Sequence, residues 1–143
     1  MTSQLNVDTI VDKAGSGGTN VKVANTSTYV SDGGAVTRNT VQGLAKAWIN
    51  FAGAGTSIND SLGMSSLGDN ATGKYTITMS SAMANTNYSV SFGIQEIGAQ
   101  NNHATVIRSD VTITTTVFGV ATYSSSVYQD VTLVYEKIHG DLA

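Results

Sequence analysis

The sequence predicts an all-β protein. An N-terminal extended arm and a short helix occupy residues 1–45, and an antiparallel β-sandwich or small barrel occupies residues 46–143. Three observations carry this reading. From Lys46 onward, apolar residues recur at every second position in short runs, the period of a half-buried strand. Between the runs stand clusters of Gly, Asn, Asp and Ser, the residues that build tight turns. No stretch sustains the 3.6-residue period of a long amphipathic helix, and no internal repeat is visible.

Taken in order, the first 45 residues lack bulk. The single Trp and the three Phe all come later, at Trp48, Phe51, Phe92 and Phe118. Leu5-Asn6-Val7 and Val21-Lys22-Val23 alternate as short strands do, but Gly15-Ser16-Gly17-Gly18 and Asp32-Gly33-Gly34 interrupt them. This segment cannot bury enough apolar surface alone to offset an ordering entropy of about 1–2 kcal/mol per residue. It is expected to be an arm that orders on a partner, with a disordered leader as the alternative. Asn39 to Trp48 reads as a short helix: Asn39 caps it, Gln42 returns the bond, and Val41, Leu44 and Trp48 share a face. Gly43 limits it to two turns.

The strand runs follow. Ala47, Ile49 and Phe51 alternate with Lys46, Trp48 and Asn50; Ile58, Asp60 and Leu62 make a weaker run. Tyr75, Ile77 and Met79 alternate with Lys74, Thr76 and Thr78, and Tyr88, Val90, Phe92 and Ile94 with Ser89, Ser91, Gly93 and Gln95. Ala104 to Arg108, Val111 to Phe118 and Val127 to His139 complete the set, with Val131, Leu133 and Tyr135 set opposite Thr132, Val134 and Glu136. Turns are expected at Gly53-Ala54-Gly55, Gly68-Asp69-Asn70, Gly98 to Asn102 and Ser124-Ser125-Ser126.

Composition narrows the function. Charged residues make up 12% of the chain, about half the usual share, and Ser, Thr, Asn and Gly fill roughly two-fifths of it instead. Seven basic residues are scattered singly and the net charge is −3, so the clustered phosphate contacts of nucleic-acid binding are missing. No apolar run approaches the length of about 18 residues that spans a bilayer, so no membrane insertion is expected. Met1-Thr2-Ser3-Gln4 lacks the basic and apolar features of a secretory signal, so the protein is expected to be made and kept in a cytoplasm or to leave it by lysis. There is no Cys, which removes disulfides and thiolate metal sites, and no Pro. Edge strands usually carry Pro, Lys or inward charge. Thr112-Ile113-Thr114-Thr115-Thr116 reads as a flat, uncharged edge that a neighbouring subunit would cover, so self-association is expected.

No catalytic or cofactor signature emerges. Gly53-Ala54-Gly55-Thr56-Ser57 lacks the Lys of a phosphate loop, and Gly15-Ser16-Gly17-Gly18 lacks the dinucleotide spacing. His103 and His139 stand in no zinc pattern; on a threefold axis one His per chain could still meet its copies. Asp60, Asp69, Glu96 and Asp130 are not paired by any spacing that glycoside hydrolysis would need, with Asp130 and Glu96 expected on the solvent side of strands or at subunit contacts. No nucleophile elbow surrounds any Ser. Catalytic residues, metal ligands and cofactors are therefore all expected to be none. Among the tyrosines, Tyr75, Tyr88 and Tyr135 fit the core, whereas Tyr123 and Tyr128 flank the Ser-rich loop and suit a contact surface.

Three stretches carry a resemblance. Leu5-Asn6-Val7-Asp8-Thr9-Ile10-Val11-Asp12-Lys13-Ala14-Gly15 resembles the opening of tail-fibre and virion structural proteins of marine and cyanobacterial phages. Asn39-Thr40-Val41-Gln42-Gly43-Leu44-Ala45-Lys46-Ala47-Trp48, with Asp60-Ser61-Leu62 and Gly73-Lys74-Tyr75-Thr76-Ile77, is similar to their distal domain, and His139-Gly140-Asp141-Leu142-Ala143 to its ending. The resemblance implies a homotrimeric virion component located on the tail. Its arm, through Leu5, Val7, Ile10 and Val11, would dock on other virion proteins such as a tail adaptor, nozzle, baseplate or capsid. Its β-domain would face outward, with Gln100, Asn101, Asn102, Tyr123 and Tyr128 as host-contact residues for a surface glycan or protein. The chain departs from long fibres in having no heptads, no collagen-like run and no His-x-His motif. A capsid decoration protein and a small glycan-cleaving enzyme are the alternatives.

Overall fold

A computed structural model describes residues 27–30, 37–95 and 102–143. The chain divides into two compact units, Met1–Val41 and Gln42–Ala143. In the first, β1 (Thr28–Val30) and β2 (Thr37–Asn39) pair antiparallel with Tyr29 opposite Arg38. Tyr29 and Val30 remain exposed on this ribbon. A single helical turn, α1 (Thr40–Gly43), follows, and the Thr40 N–H donates to the Ser27 carbonyl at 2.8 Å. The helix stops at Gly43, the residue whose propensity argues most against continuing. Leu44 is exposed and Trp48 already belongs to a strand, so the shared helical face of Val41, Leu44 and Trp48 does not form.

Among the described residues the second unit holds nine strands: β3 (Ala47–Ala52), β4 (Ile58–Leu62), β5 (Met64–Ala71), β6 (Lys74–Met79), β7 (Ser89–Gln95), β8 (His103–Ile107), β9 (Val117–Ser124), β10 (Val127–Tyr128) and β11 (Leu133–His139). They form two antiparallel sheets. One has the order β4-β3-β11-β7; the other has β10-β9-β6-β5, with β8 on the free side of β9. The all-β, antiparallel architecture expected from the alternation is therefore present.

Alternation decides which face is buried. Ala47, Ile49 and Phe51 of β3, Tyr75, Ile77 and Met79 of β6, Phe118 and Val120 of β9, and Val134 and Ile138 of β11 form one apolar cluster shared by both sheets. Phe51 and Tyr75 meet edge to face, with centroids 5.0 Å apart, a geometry that contributes about 0.5–1.5 kcal/mol beyond area burial. Tyr88 and Phe118 make a second such pair at 6.2 Å.

A polar knot closes one end of this core. The buried Tyr75 hydroxyl donates to the Gly53 carbonyl at 2.6 Å and to Asp130 Oδ1 at 3.2 Å. Asp130 Oδ1 also accepts from the Gly73 N–H at 2.6 Å, and the Thr122 hydroxyl donates to the Gln129 carbonyl at 2.6 Å. Gly73 takes φ of +64°, and a Cβ there would lie 2.6 Å from both the Gln129 nitrogen and the Thr122 oxygen. Only glycine fits that turn. Asp130 is thus held at the turn rather than on the solvent side of a strand.

Three further expectations are overturned. Gly68-Asp69-Asn70 lies inside β5; the turn is Thr72–Gly73, where the Asp130 carboxyl captures the Gly73 N–H. Thr112 to Thr116 is a loop rather than an edge strand. The Thr114 hydroxyl accepts from the N–H groups of Thr116 (3.2 Å) and Val117 (2.9 Å), bonds that a ladder would otherwise take. The phase of β11 is inverted: Val134, Glu136 and Ile138 face the core and Tyr135 faces out at 40% exposure. Among the described residues, no helix is long and apolar enough to cross a membrane.

Candidate functional site

Each sheet turns its second face away from the shared core, and each of these outer faces displays an aromatic pair with a lysine. In the five-stranded sheet, the β9–β10 hairpin brings Tyr123 opposite Tyr128. The rings stack with centroids 4.5 Å apart and planes 30° apart. Lys74, from the neighbouring β6, sets its Nζ 4.2 Å from the centre of the Tyr128 ring and 3.8 Å from Asp110 Oδ2. Asp110 is itself gripped by Arg108 in a two-pronged ion pair of 2.8 and 2.9 Å. That guanidinium holds the Asp110 carboxyl down at about 2.

The hairpin tip is Ser125-Ser126, both with positive φ, 50° and 70°. These are the dihedrals of a two-residue hairpin turn that prefers Asn-Gly. Two serines in left-handed conformations store about 1–2 kcal/mol each, and such strain gathers where a loop has a task. The Ser125 N–H is tied to the Asn102 carbonyl at 3.1 Å. Asn102, Ala104, Tyr123, Ser125 and Ser126 line a depression of about 470 Å³. Of the residues picked from sequence for host contact, Asn102, Tyr123 and Tyr128 are brought together here. Gln100 and Asn101, like the arm residues Leu5, Val7, Ile10 and Val11, lie outside the described residues, as does Glu96.

The outer face of the four-stranded sheet escaped the sequence reading. Register places Trp48, Lys137 and Ser91 in one cross-strand row and Asn50, Tyr135 and Gly93 in the next. Side chains in such rows share a face. Together they line a depression of about 410 Å³, floored by the sheet backbone. Gly93 creates the hollow, and the Tyr135 ring leans over it: a Cβ on Gly93 would meet Tyr135 Cβ at 3.4 Å and Cδ2 at 3.7 Å. Trp48 was legible as outward-facing from its alternation with Ile49 and Phe51. Tyr135 was not, because a carboxylate at the next position argues for the opposite phase.

That carboxylate is the sharpest electrostatic feature of the fold. Glu136 is 2% exposed, and neither carboxyl oxygen has a hydrogen-bond partner among the described residues. Burial pushes its carboxyl up to about 9, so it is neutral at pH 7. It points into the core, away from solvent, and has no second acid beside it in its own rows, where Ile49 and Phe92 flank it. Among the described residues, no group of three His, Cys, Asp or Glu gathers as a metal site requires. His103 opens β8 and His139 closes β11. Asp60 accepts from the Ser61 N–H at 2.8 Å, and Asp130 belongs to the core knot. Asp60, Asp110 and Asp130 are thus engaged within the fold, and the arrangement can present surfaces.

Compared with protein-family models, with curated proteins and with solved structures, the chain matches none of them.

Proposed function

We propose that the chain is a non-enzymatic structural component of a phage virion, a tail-fibre-like protein attached by its N-terminal arm and presenting its β-domain for host-surface contact. The resemblance of Leu5 to Gly15, Asn39 to Trp48 and His139 to Ala143 to virion proteins supplies the biological setting. The observation that carries the contact role is the Tyr123–Tyr128 stack, locked by Lys74 and mounted on a strained turn. A rigid aromatic patch loses little entropy on docking, which favours its use as a contact surface.

Self-association as a homotrimer belongs to the same reading, and its support moves from the Thr-rich loop to β7. That strand pairs with β11 over seven residues without a register shift, and no described strand covers its other side. It carries no charge and no proline, so among the described residues nothing guards it. By contrast, β5 and β4 are irregular, with register shifts that blunt their edges. Repeated copies convert weak contacts into avidity, by about 10²–10⁴.

Competition tests the contact role. Excess purified protein is expected to slow adsorption of particles to host cells, and Tyr128→Ala, which touches no core residue, is expected to lose that effect. Equal competition by wild type and Y128A, or none by wild type, contradicts the role. Digestion of host surface polysaccharide by the purified protein would favour the glycan-cleaving alternative instead.

A further inference from the structure

The two outer faces differ in one respect that separates their chemistry. Around Tyr123 and Tyr128 the groups satisfy one another: ring stacks on ring, the ammonium of Lys74 lies over Tyr128, and Asp110 neutralises it. Around Trp48 and Tyr135 they do not. The Trp48 indole N–H, the Tyr135 hydroxyl, the Ser91 hydroxyl and the Lys137 ammonium make no hydrogen bond or ion pair among the described residues. Asn50 is half used: its Oδ1 accepts from Asn59 Nδ2 at 3.2 Å, which leaves its amide N–H groups to donate.

The result is a hollow of about 410 Å³ lined by two aromatic side chains and by the donors of Trp48, Lys137 and Asn50, with Asn50 Oδ1 already accepting one bond. Trp Nε1, a Lys ammonium and an amide nitrogen can only donate. A ligand that answers this set is rich in acceptors, carries negative charge and has an apolar face to lay on a ring. A sugar bearing a carboxylate meets all of these demands. Its C–H face stacks on an indole or phenol, its ring and hydroxyl oxygens accept, and its carboxylate pairs with Lys137.

We infer that the Trp48–Tyr135 hollow on the outer face of the four-stranded sheet is a binding site for an acidic, uronate-type saccharide, with Trp48 and Tyr135 as the stacking platform and Lys137 as the carboxylate partner. This deepens the surface-contact reading and rests on it only for where the saccharide comes from. Three strands span the hollow, a width of about 10 Å at the usual strand spacing, room for one or two sugar rings. Affinity for a single short chain is expected in the millimolar range, with many copies supplying the rest.

Trp48 is the only tryptophan, so its indole N–H resonance reports on this site alone. The full chain is titrated with tri-galacturonate and, separately, with the neutral maltotriose. A saturable shift of the Trp48 indole signal with tri-galacturonate, and a much weaker one with maltotriose, is expected. Lys137→Gln, an exposed change that leaves the core untouched, should weaken tri-galacturonate binding by about fivefold, the effect of one partly exposed ion pair, and leave maltotriose unchanged. Added salt should weaken only the acidic ligand. The inference is overturned if the indole signal does not move, if maltotriose binds as well as tri-galacturonate, or if K137Q binds as wild type does. Failure here leaves the virion reading standing, and absence of the chain from particles leaves this site standing.

Discussion

Glu136 of β11 lies directly opposite Ile49 of β3 on the face the two sheets share, and both of its carboxyl oxygens are buried there without a described partner. A buried carboxyl in this position stays folded by keeping its proton. The fold therefore contains an acid whose ionisation opposes it.

The pH dependence follows. The folded group titrates near 9 and an unperturbed one at 4.5. Between these values the folded chain holds one proton more than the unfolded chain, so stability falls as pH rises, by about 1.4 kcal/mol per pH unit. Below 4.5 and above 9 this group adds no slope. Denaturant unfolding measured from pH 5 to pH 9 should show the decline. Glu136→Gln should flatten it and leave the chain more stable at pH 8 by about 2–4 kcal/mol. An unchanged slope in E136Q contradicts the assignment.

Tyr75→Phe removes the hydroxyl that donates to Gly53 and Asp130 while keeping the ring against Phe51. It leaves a buried carbonyl without its donor, which should destabilise the fold by about 1–3 kcal/mol. Urea unfolding at neutral pH checks this. A loss no larger than that of a surface substitution means that the knot at Asp130 does not hold the end of the core.

Replacing Ser125-Ser126 by Asn-Gly supplies the residues that the positive φ angles demand. The double variant should gain about 1 kcal/mol or more of stability, seen as a higher melting temperature. A lower melting temperature contradicts the turn geometry. If the strain serves contact, the same variant should compete less well for host cells.

Much of the architecture could be read in advance from alternation. Ala47, Ile49 and Phe51, and Tyr75, Ile77 and Met79, are buried where period two puts them, because the residues alternating with them are polar except for Trp48. The failures share a cause: residues whose usual preference is overruled by a tertiary partner. Gly68-Asp69-Asn70 has turn composition, yet it pairs with β6 because the tighter turn at Gly73 is fixed by Asp130 from far along the chain. Thr112 to Thr116 has strand composition, but the Thr114 hydroxyl takes the backbone donors. Buried Glu136 inverted the reading of Tyr135, and with it hid half of the aromatic hollow. The place of Tyr123 and Tyr128 beside the Ser-rich loop marks them as surface residues; their stacking and the approach of Lys74 depend on register, which no local pattern encodes.

Removal of residues 1–14 separates attachment from folding. The truncated chain should keep the melting temperature of the β-domain, since the buried cluster is drawn from residues 47–138, yet fail to enter particles. Normal incorporation of the truncated protein contradicts a docking role for Leu5, Val7, Ile10 and Val11.

The most direct test of the virion reading is the position of the chain on intact, purified particles, mapped by antibody labelling and electron microscopy. Label on the tail, in copies that come in threes, is the expected result. Label over the shell would replace the fibre reading with a decoration protein, and particles that carry no copy at all would contradict a structural role in the virion.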